Sequence, residues 1–245
     1  MTTAEKRLLD AVSAERISDL CRRLVRTPTV SPYSGDRQPA GEGAGQDIVE
    51  GILRDLGADT RRVPCRDELF GPAYTLAPGG RQVDGRPNII GTLRLGNGQG
   101  PVVVLEAHMD TVAVDTYEGD PFSGDLRDGF IHGRGSSDDK QGITVMLEAA
   151  RVLAQQGGVN GTLVCCSVVD EECDGAGRGS LACLDAVRPM SAAIVIDGSV
   201  GAIWEGCTGV ITAEITVSGR AGHAALGGTV NAIDKAVFLM PALAA

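Results

Sequence analysis

Asp170, Glu171 and Glu172 stand side by side where the apolar run of "LVCCSVVDEECDG" ends. Three adjacent carboxylates repel one another, so their use implies a partner of opposite charge. Three other places have the same form. "VVVLEAHMD" ends an apolar run in His108 and Asp110, "GRGSSDDK" carries Asp138 and Asp139, and "AAIVID" ends in Asp197. Each place alone also suits a solvated loop or a structural histidine. Together they set an imidazole and several carboxylates after strand patterns, where open α/β sheets carry their ligand sites. A divalent cation turns that repulsion into coordination. Zinc accepts histidine nitrogen and carboxylate oxygen at about 2.0–2.2 Å, and a shared Asp suits two metals roughly 3.5–4 Å apart.

The elements that must position these groups are legible as hydrophobic periods. Ile17, Leu20, Cys21 and Leu24 recur at helical spacing and stop at Thr27-Pro28, which predicts a first amphipathic helix. Ile48, Val49, Ile52, Leu53 and Leu56 predict a second, ended by Gly57. "TRRVPC", "NIIGTLRL" and "PVVVLEA" read as strands, "FSGDLRDGFIHGRG" as a hairpin, and Lys140 to Gln156 as a helix closed by Gly157-Gly158. "GTLVCCSVV" and "SAAIVID" read as strands buried on both faces. The expected fold is therefore α/β, a mixed sheet covered by helices. From Gly206 the texture changes: "GVITAEITVSG" alternates, which predicts a half-exposed antiparallel strand, and a helix is expected from about Asn231. The expected domains are 1–206 and a second, smaller one beginning at 207–245.

The composition narrows the function classes. A net charge of −10 and a chain without clustered Lys and Arg exclude a phosphate-backbone binder, so no nucleic-acid partner is expected. No apolar run reaches membrane-spanning length, and the charged N-terminus "MTTAEKRLLDAVSAERISDL" has no signal-peptide core. The seven cysteines lack zinc-finger or CxxC spacing and read as reduced core thiols, with Cys173 a small packing residue. A cytoplasmic protein without a membrane partner is expected. "GRG" lacks the spacing of a P-loop or dinucleotide fingerprint, and His132 reads as structural.

"HMDTV", "GRGSSDDKQG", "DEE", "VID" and "VSGRAGHAA" resemble, in order, the motifs of the dinuclear zinc peptidase and deacylase family. That family includes acetylornithine deacetylase, succinyl-diaminopimelate desuccinylase, glutamate carboxypeptidase and aminoacylase. The resemblance implies a zinc-exopeptidase-like fold, with 1–206 the catalytic domain and 207–245 the start of an α+β lid and dimerisation domain. It implies that His108, Asp138 and Asp197 bind one metal, and that Asp138 bridges to a second held also by Glu172. It implies that Glu171 is the general base, that Asp110 orients His108, and that the Asp138-Asp139 peptide is cis. His223, which by itself reads equally as a polar loop residue, is implied to reach an active site and stabilise the oxyanion, often across a dimer interface.

The expected cofactor is zinc, two per complete site, with cobalt or manganese as substitutes. The expected substrate is an N-acyl amino acid or dipeptide, and the complete protein is expected to be a homodimer. Glu171 and Glu172, adjacent on extended backbone, are expected to point to opposite sides, one to water and substrate and one to metal. Members of the family run further and supply a late His to the second metal, but no His follows His223. The chain is therefore expected to be a fragment or a truncated product of impaired activity. The alternative is a noncatalytic metal-binding remnant that serves as a dimerisation or scaffold module.

Overall fold

The computed structural model describes residues 1–65, 85–172, 177–198, 202–204, 206, 215–223 and 228–243. Its contacts divide into two units, Met1–Gly201 and Ala202–Ala245.

In the first unit, helix α1 (Thr3–Asp10) starts with a capping box between Thr2 and Glu5. It buries no residue, and the T-x-x-E spacing of that box is its clearest mark in the sequence. Helix α2 (Ala14–Val25) starts at Ser13, whose side chain accepts from the Arg16 amide, and buries Cys21, Leu24 and Val25. Helix α3 (Gly43–Asp55) follows, and then strand β1 (Asp59–Val63). Strands β2 (Asn88–Leu95) and β3 (Val102–His108) lead to a hairpin of β4 (Asp125–Arg127) and β5 (Phe130–His132). Asp128 and Gly129 turn that hairpin at φ 52° and 83°, the left-handed pair that a tight two-residue loop requires. Helix α4 (Lys140–Gln156), strand β6 (Gly161–Val168), helix α5 (Arg178–Val187) and strand β7 (Ala192–Val195) complete the unit.

The sheet order is β1-β2-β6-β3-β7. β2 runs antiparallel to both β1 and β6, whereas β3 pairs parallel with β6 and β7. The sheet is thus mixed, as expected. Alternate residues of β6 serve two cores. Leu163 and Cys165 join Leu24 of α2, Val49 and Leu53 of α3 and Met146 of α4, while Val164, Cys166 and Val168 join Cys183 of α5. Burying one such side chain contributes about 1.5–3 kcal/mol, which is what holds helices on both faces. At Gly91 an added Cβ would stand 2.7 Å from Leu53 Cδ1, so a larger residue would have to displace the Leu53 side chain where α3 packs on β2.

β7 departs from the expectation of a strand buried on both faces. All four of its residues are exposed, Ile194 at 54% and Val195 at 63%. Apolar composition predicts burial, but among the described residues β7 lies at the edge of the sheet, and burial needs a covering layer as well as apolar side chains.

In the second unit, residues 209–214 of the expected alternating strand lie outside the described residues, and 215–219 form no strand. Arg220 and Val230 pair in an isolated antiparallel bridge, with both N–H···O bonds at 2.9 Å. A strand needs a run of such pairs, and the described residues supply one. Helix α6 (Ala232–Leu243) follows Asn231, whose Oδ1 accepts from the Ile233 amide at 2.9 Å. No helix among the described residues is long and apolar enough to cross a membrane.

Candidate metal centre

Parallel pairing fixes where the chemistry gathers. His108 ends β3 opposite Val168 of β6, so the segments after both strands leave the same, carboxyl end of the sheet. Asp110 follows β3, Asp170, Glu171 and Glu172 follow β6, and Asp197 follows β7, while Asp138 lies just ahead of α4. The ligand atoms of His108, Asp138 and Asp197 all lie within 4.8 Å of one another, with His108 buried and both carboxylates exposed. Glu172 is not one of these three.

His108 is 2% exposed and fixed from three sides. Its amide donates to Asp139 Oδ2 at 3.1 Å, its Nδ1 lies 3.0 Å from the Asp110 carbonyl oxygen, and its Nε2 lies 2.9 Å from Asp138 Oδ1. A carbonyl oxygen only accepts, so Nδ1 carries the proton and the Nε2 lone pair faces the Asp138 carboxylate. Two electron-rich atoms at that distance need a proton or a cation to share. As a proton site Nε2 is held tightly: burial opposes the charge, but Asp110 and Asp138 push the imidazole up to about 11. The same geometry, an Nδ1–H anchored on a carbonyl with Nε2 beside two carboxylates, suits zinc in place of the proton.

Asp110, fully buried, spends its carboxylate on the neighbouring turn. Oδ1 accepts from the Glu171 amide at 3.3 Å and Oδ2 from the Glu172 amide at 3.0 Å. Glu171 Oε2 reaches to 3.9 Å from His108 Nε2 with its side chain 42% exposed. Burial raises the Glu171 carboxyl above the usual carboxylate range, partly offset by His108. The Glu172 carboxyl is pushed up to about 7, by burial first and then by the charge of Asp138. Its amide is fixed as well as that of Glu171, and Asp138 is the strongest charge acting on its side chain.

Three positioning groups escaped the sequence reading. Asp139 caps α4 by accepting from the Gly142 amide at 3.1 Å while also holding His108, and burial pushes its carboxyl up to about 7. Its place just before a helix with a free amide three residues on was a cap signal that could have found it. Arg86 and Glu42 form a buried pair beside Asp170, and no spacing rule links residues so far apart in sequence. The Asp138-Asp139 peptide is cis, as the resemblance implied. His223 lies exposed in the second unit and His132 half-buried in β5, whereas Cys173 lies outside the described residues. The described cysteines Cys21, Cys65, Cys165, Cys166 and Cys183 are free and buried.

A family profile described as "Peptidase family M20/M25/M40" matches residues 104–234, just over half of the chain. A succinyl-diaminopimelate desuccinylase of Cereibacter sphaeroides is 30% identical over 214 residues, covering 82% of this chain and 49% of that protein. One of Sulfurimonas denitrificans is 34% identical over 137 residues, covering 52% of this chain and 36% of that protein. The chain spans about half the length of the curated relatives it matches. Among solved structures, a tripeptidase from Staphylococcus aureus aligns with a TM-score of 0.59 at 20% identity, covering 94% of this chain and 56% of that one. Human carnosine dipeptidase 1 aligns at 0.57 and 18% identity, covering 80% of this chain and 41% of that one. These two establish the likeness of fold.

Proposed function

The chain belongs to peptidase family M20/M25/M40, and from that premise we propose that it acts as a zinc-dependent hydrolase of the amide bond in an N-acyl amino acid or small peptide. The observation that carries the reading is the convergence of His108, Asp138 and Asp197 with Glu171 beside His108. His108, Asp138 and Asp197 would hold one zinc, and Asp138 with Glu172 would contribute to a second. Zinc bound there would polarise the amide carbonyl and make water more acidic.

Glu171 takes the proton of the attacking water and delivers it to the leaving amine nitrogen, serving as base and then acid. Burial raises its carboxyl pKa, partly offset by His108, which is the direction that favours a proton carrier. Asp110 fixes the Glu171 amide and the His108 ring together, so base and ligand keep one spacing. In this reading His223 would stabilise the oxyanion, and the protein would act as a homodimer. Acyl amino acids are favoured as substrates by the desuccinylase relatives. Buried free thiols suit a reducing cytoplasm.

The test is a panel of N-acetyl and N-succinyl amino acids and dipeptides, assayed with zinc and after chelation. Chelator-sensitive release of free amine from at least one substrate is expected. Zinc-loaded protein inert on the whole panel would sink the proposal.

A further inference from the structure

Asp170 is the last residue before the two glutamates and one of two described non-glycine residues with positive φ, at 66°. A left-handed residue turns the chain sharply out of the direction of β6, so its conformation sets where Glu171 and Glu172 point. The side chain that accompanies this bend is 1% exposed and lies between two arginines. Arg86 Nη2 donates to Asp170 Oδ1 at 3.1 Å, and Arg178 Nε lies 3.7 Å from Oδ2. Arg86 is itself held by a fork: Nε and Nη2 donate to Glu42 Oε2 and Oε1, each at 2.7 Å, with Glu42 fully buried. The guanidinium also lies over the Tyr33 ring, 5.4 Å from its centre.

Glu42 stands at the start of α3 but makes no side-chain cap there. Its carboxylate is spent on Arg86. Burying charges is costly and rarely the most stabilising way to fill a core, so a buried run of ion pairs ending next to a reactive group points to a geometric duty. Charge-assisted, bidentate bonds are also the protein's most directional contacts. At the same turn, Asp110 accepts the Glu171 and Glu172 amides.

We infer that Arg86, anchored by Glu42, is a positioning residue that clamps Asp170 in its left-handed bend and so aims Glu171 and Glu172 at the metal centre. The roles of the two glutamates rest on the hydrolase reading; the clamp rests on the geometry of the turn. Asn tolerates the left-handed region, so Asp170→Asn removes the charge pairing while leaving the backbone preference in place. Arg86→Lys keeps a cation but cannot fork to Glu42 while reaching Asp170.

Deuterium exchange of the metal-free protein at single-amide resolution tests the clamp directly. Both variants are expected to exchange the Glu171 and Glu172 amides about tenfold faster than wild type, with β6 amides such as Cys165 unchanged. In zinc-loaded protein kcat is expected to fall about 10–100-fold with KM within about twofold, the signature of a misplaced reacting group. Should Asp170→Asn fail to fold, Arg86→Lys carries the same test. Turn amides that keep their wild-type rates, or β6 amides that accelerate equally, would overturn the inference, as would faster turn amides with kcat intact. If wild type hydrolyses no amide, the hydrolase reading fails and amide exchange alone decides the clamp.

Discussion

His108 and Asp110 meet chiefly through main chain: Nδ1 lies 3.0 Å from the Asp110 carbonyl oxygen and 3.6 Å from its Oδ1. The carbonyl fixes the ring tautomer, while the carboxylate holds the Glu171 and Glu172 amides and adds its charge beside the ring. One residue therefore ties the candidate ligand to the candidate base through two separable groups.

That separation predicts the outcome of Asp110→Asn. The carbonyl is retained, so the Nε2 lone pair survives and zinc affinity should fall by no more than about tenfold, the low end for groups outside the ligands themselves. An amide nitrogen facing a backbone N–H breaks one of the two turn bonds, so kcat should fall further than affinity. Chelator competition alongside steady-state kinetics measures both. A larger loss of affinity than of kcat would show that the carboxylate, not the carbonyl, governs His108.

Glu171→Gln removes the proposed proton carrier without removing any of the three converging ligands. Turnover should fall by about 10²–10⁴ at unchanged zinc content. Near-normal turnover would assign the proton transfer elsewhere.

His223→Ala addresses the second domain. If His223 donates to the oxyanion, kcat should drop by about 10²–10³ in a protein with unaltered melting behaviour. Mixing His223→Ala with Glu171→Gln subunits should restore activity if sites are completed across a dimer. Failure to complement despite measured subunit exchange would confine His223 to its own chain.

Zinc stoichiometry follows from the grouping of ligands. His108, Asp138 and Asp197 supply three protein ligands and room for water, the usual open catalytic set. Glu172 stands outside that trio, so about one zinc per chain should survive dialysis and a second should be lost. Elemental analysis with two tightly held zinc ions would require a further ligand beyond this set.

The strand-end placement of His108, Asp110, Glu171 and Asp197 was legible because apolar runs ending in polar groups mark strands and their exits. The alternation in β6 likewise matches two cores. What escaped were contacts without a period. Arg86 meets Glu42 and Asp170 from far along the chain, and Asp139 binds both a helix end and a strand amide. β7 differs because apolar sequence records what a strand could bury, whereas among the described residues it lies at the sheet edge with its side chains exposed. Helices α1 and α5 are absent from the expectations, although the Thr2–Glu5 capping box signals the start of α1.

Lys140 provides a test of the fold by pH. It is fully buried, with Nζ donating to the Thr27 carbonyl at 2.9 Å, and burial lowers its pKa from 10.5 to about 7, partly offset by Cys21. Below about pH 7 the folded and unfolded chains both carry the proton. Between about 7 and 10.5 the unfolded chain keeps a proton on Lys140 that the folded protein has released, so the Lys140 contribution to stability rises with pH through that window, while His108, held up to about 11, contributes a fall over the same range in the metal-free protein. Asp139 and Glu172, raised to about 7, act in the opposite sense but over the range below 7, where the folded protein is the better proton binder. Buried thiols such as Cys21 and Cys165 also oppose the rise, but only from about pH 9 upward. Lys140→Met keeps the side-chain bulk without the charge and should flatten the Lys140 contribution. Urea unfolding of the metal-free proteins should therefore show wild type gaining about 2 kcal/mol relative to Lys140→Met between about pH 7 and pH 8.5. Parallel curves across that interval would mean that Lys140 stays charged in the folded protein, and that the Thr27 carbonyl and its surroundings solvate the ammonium as well as water does.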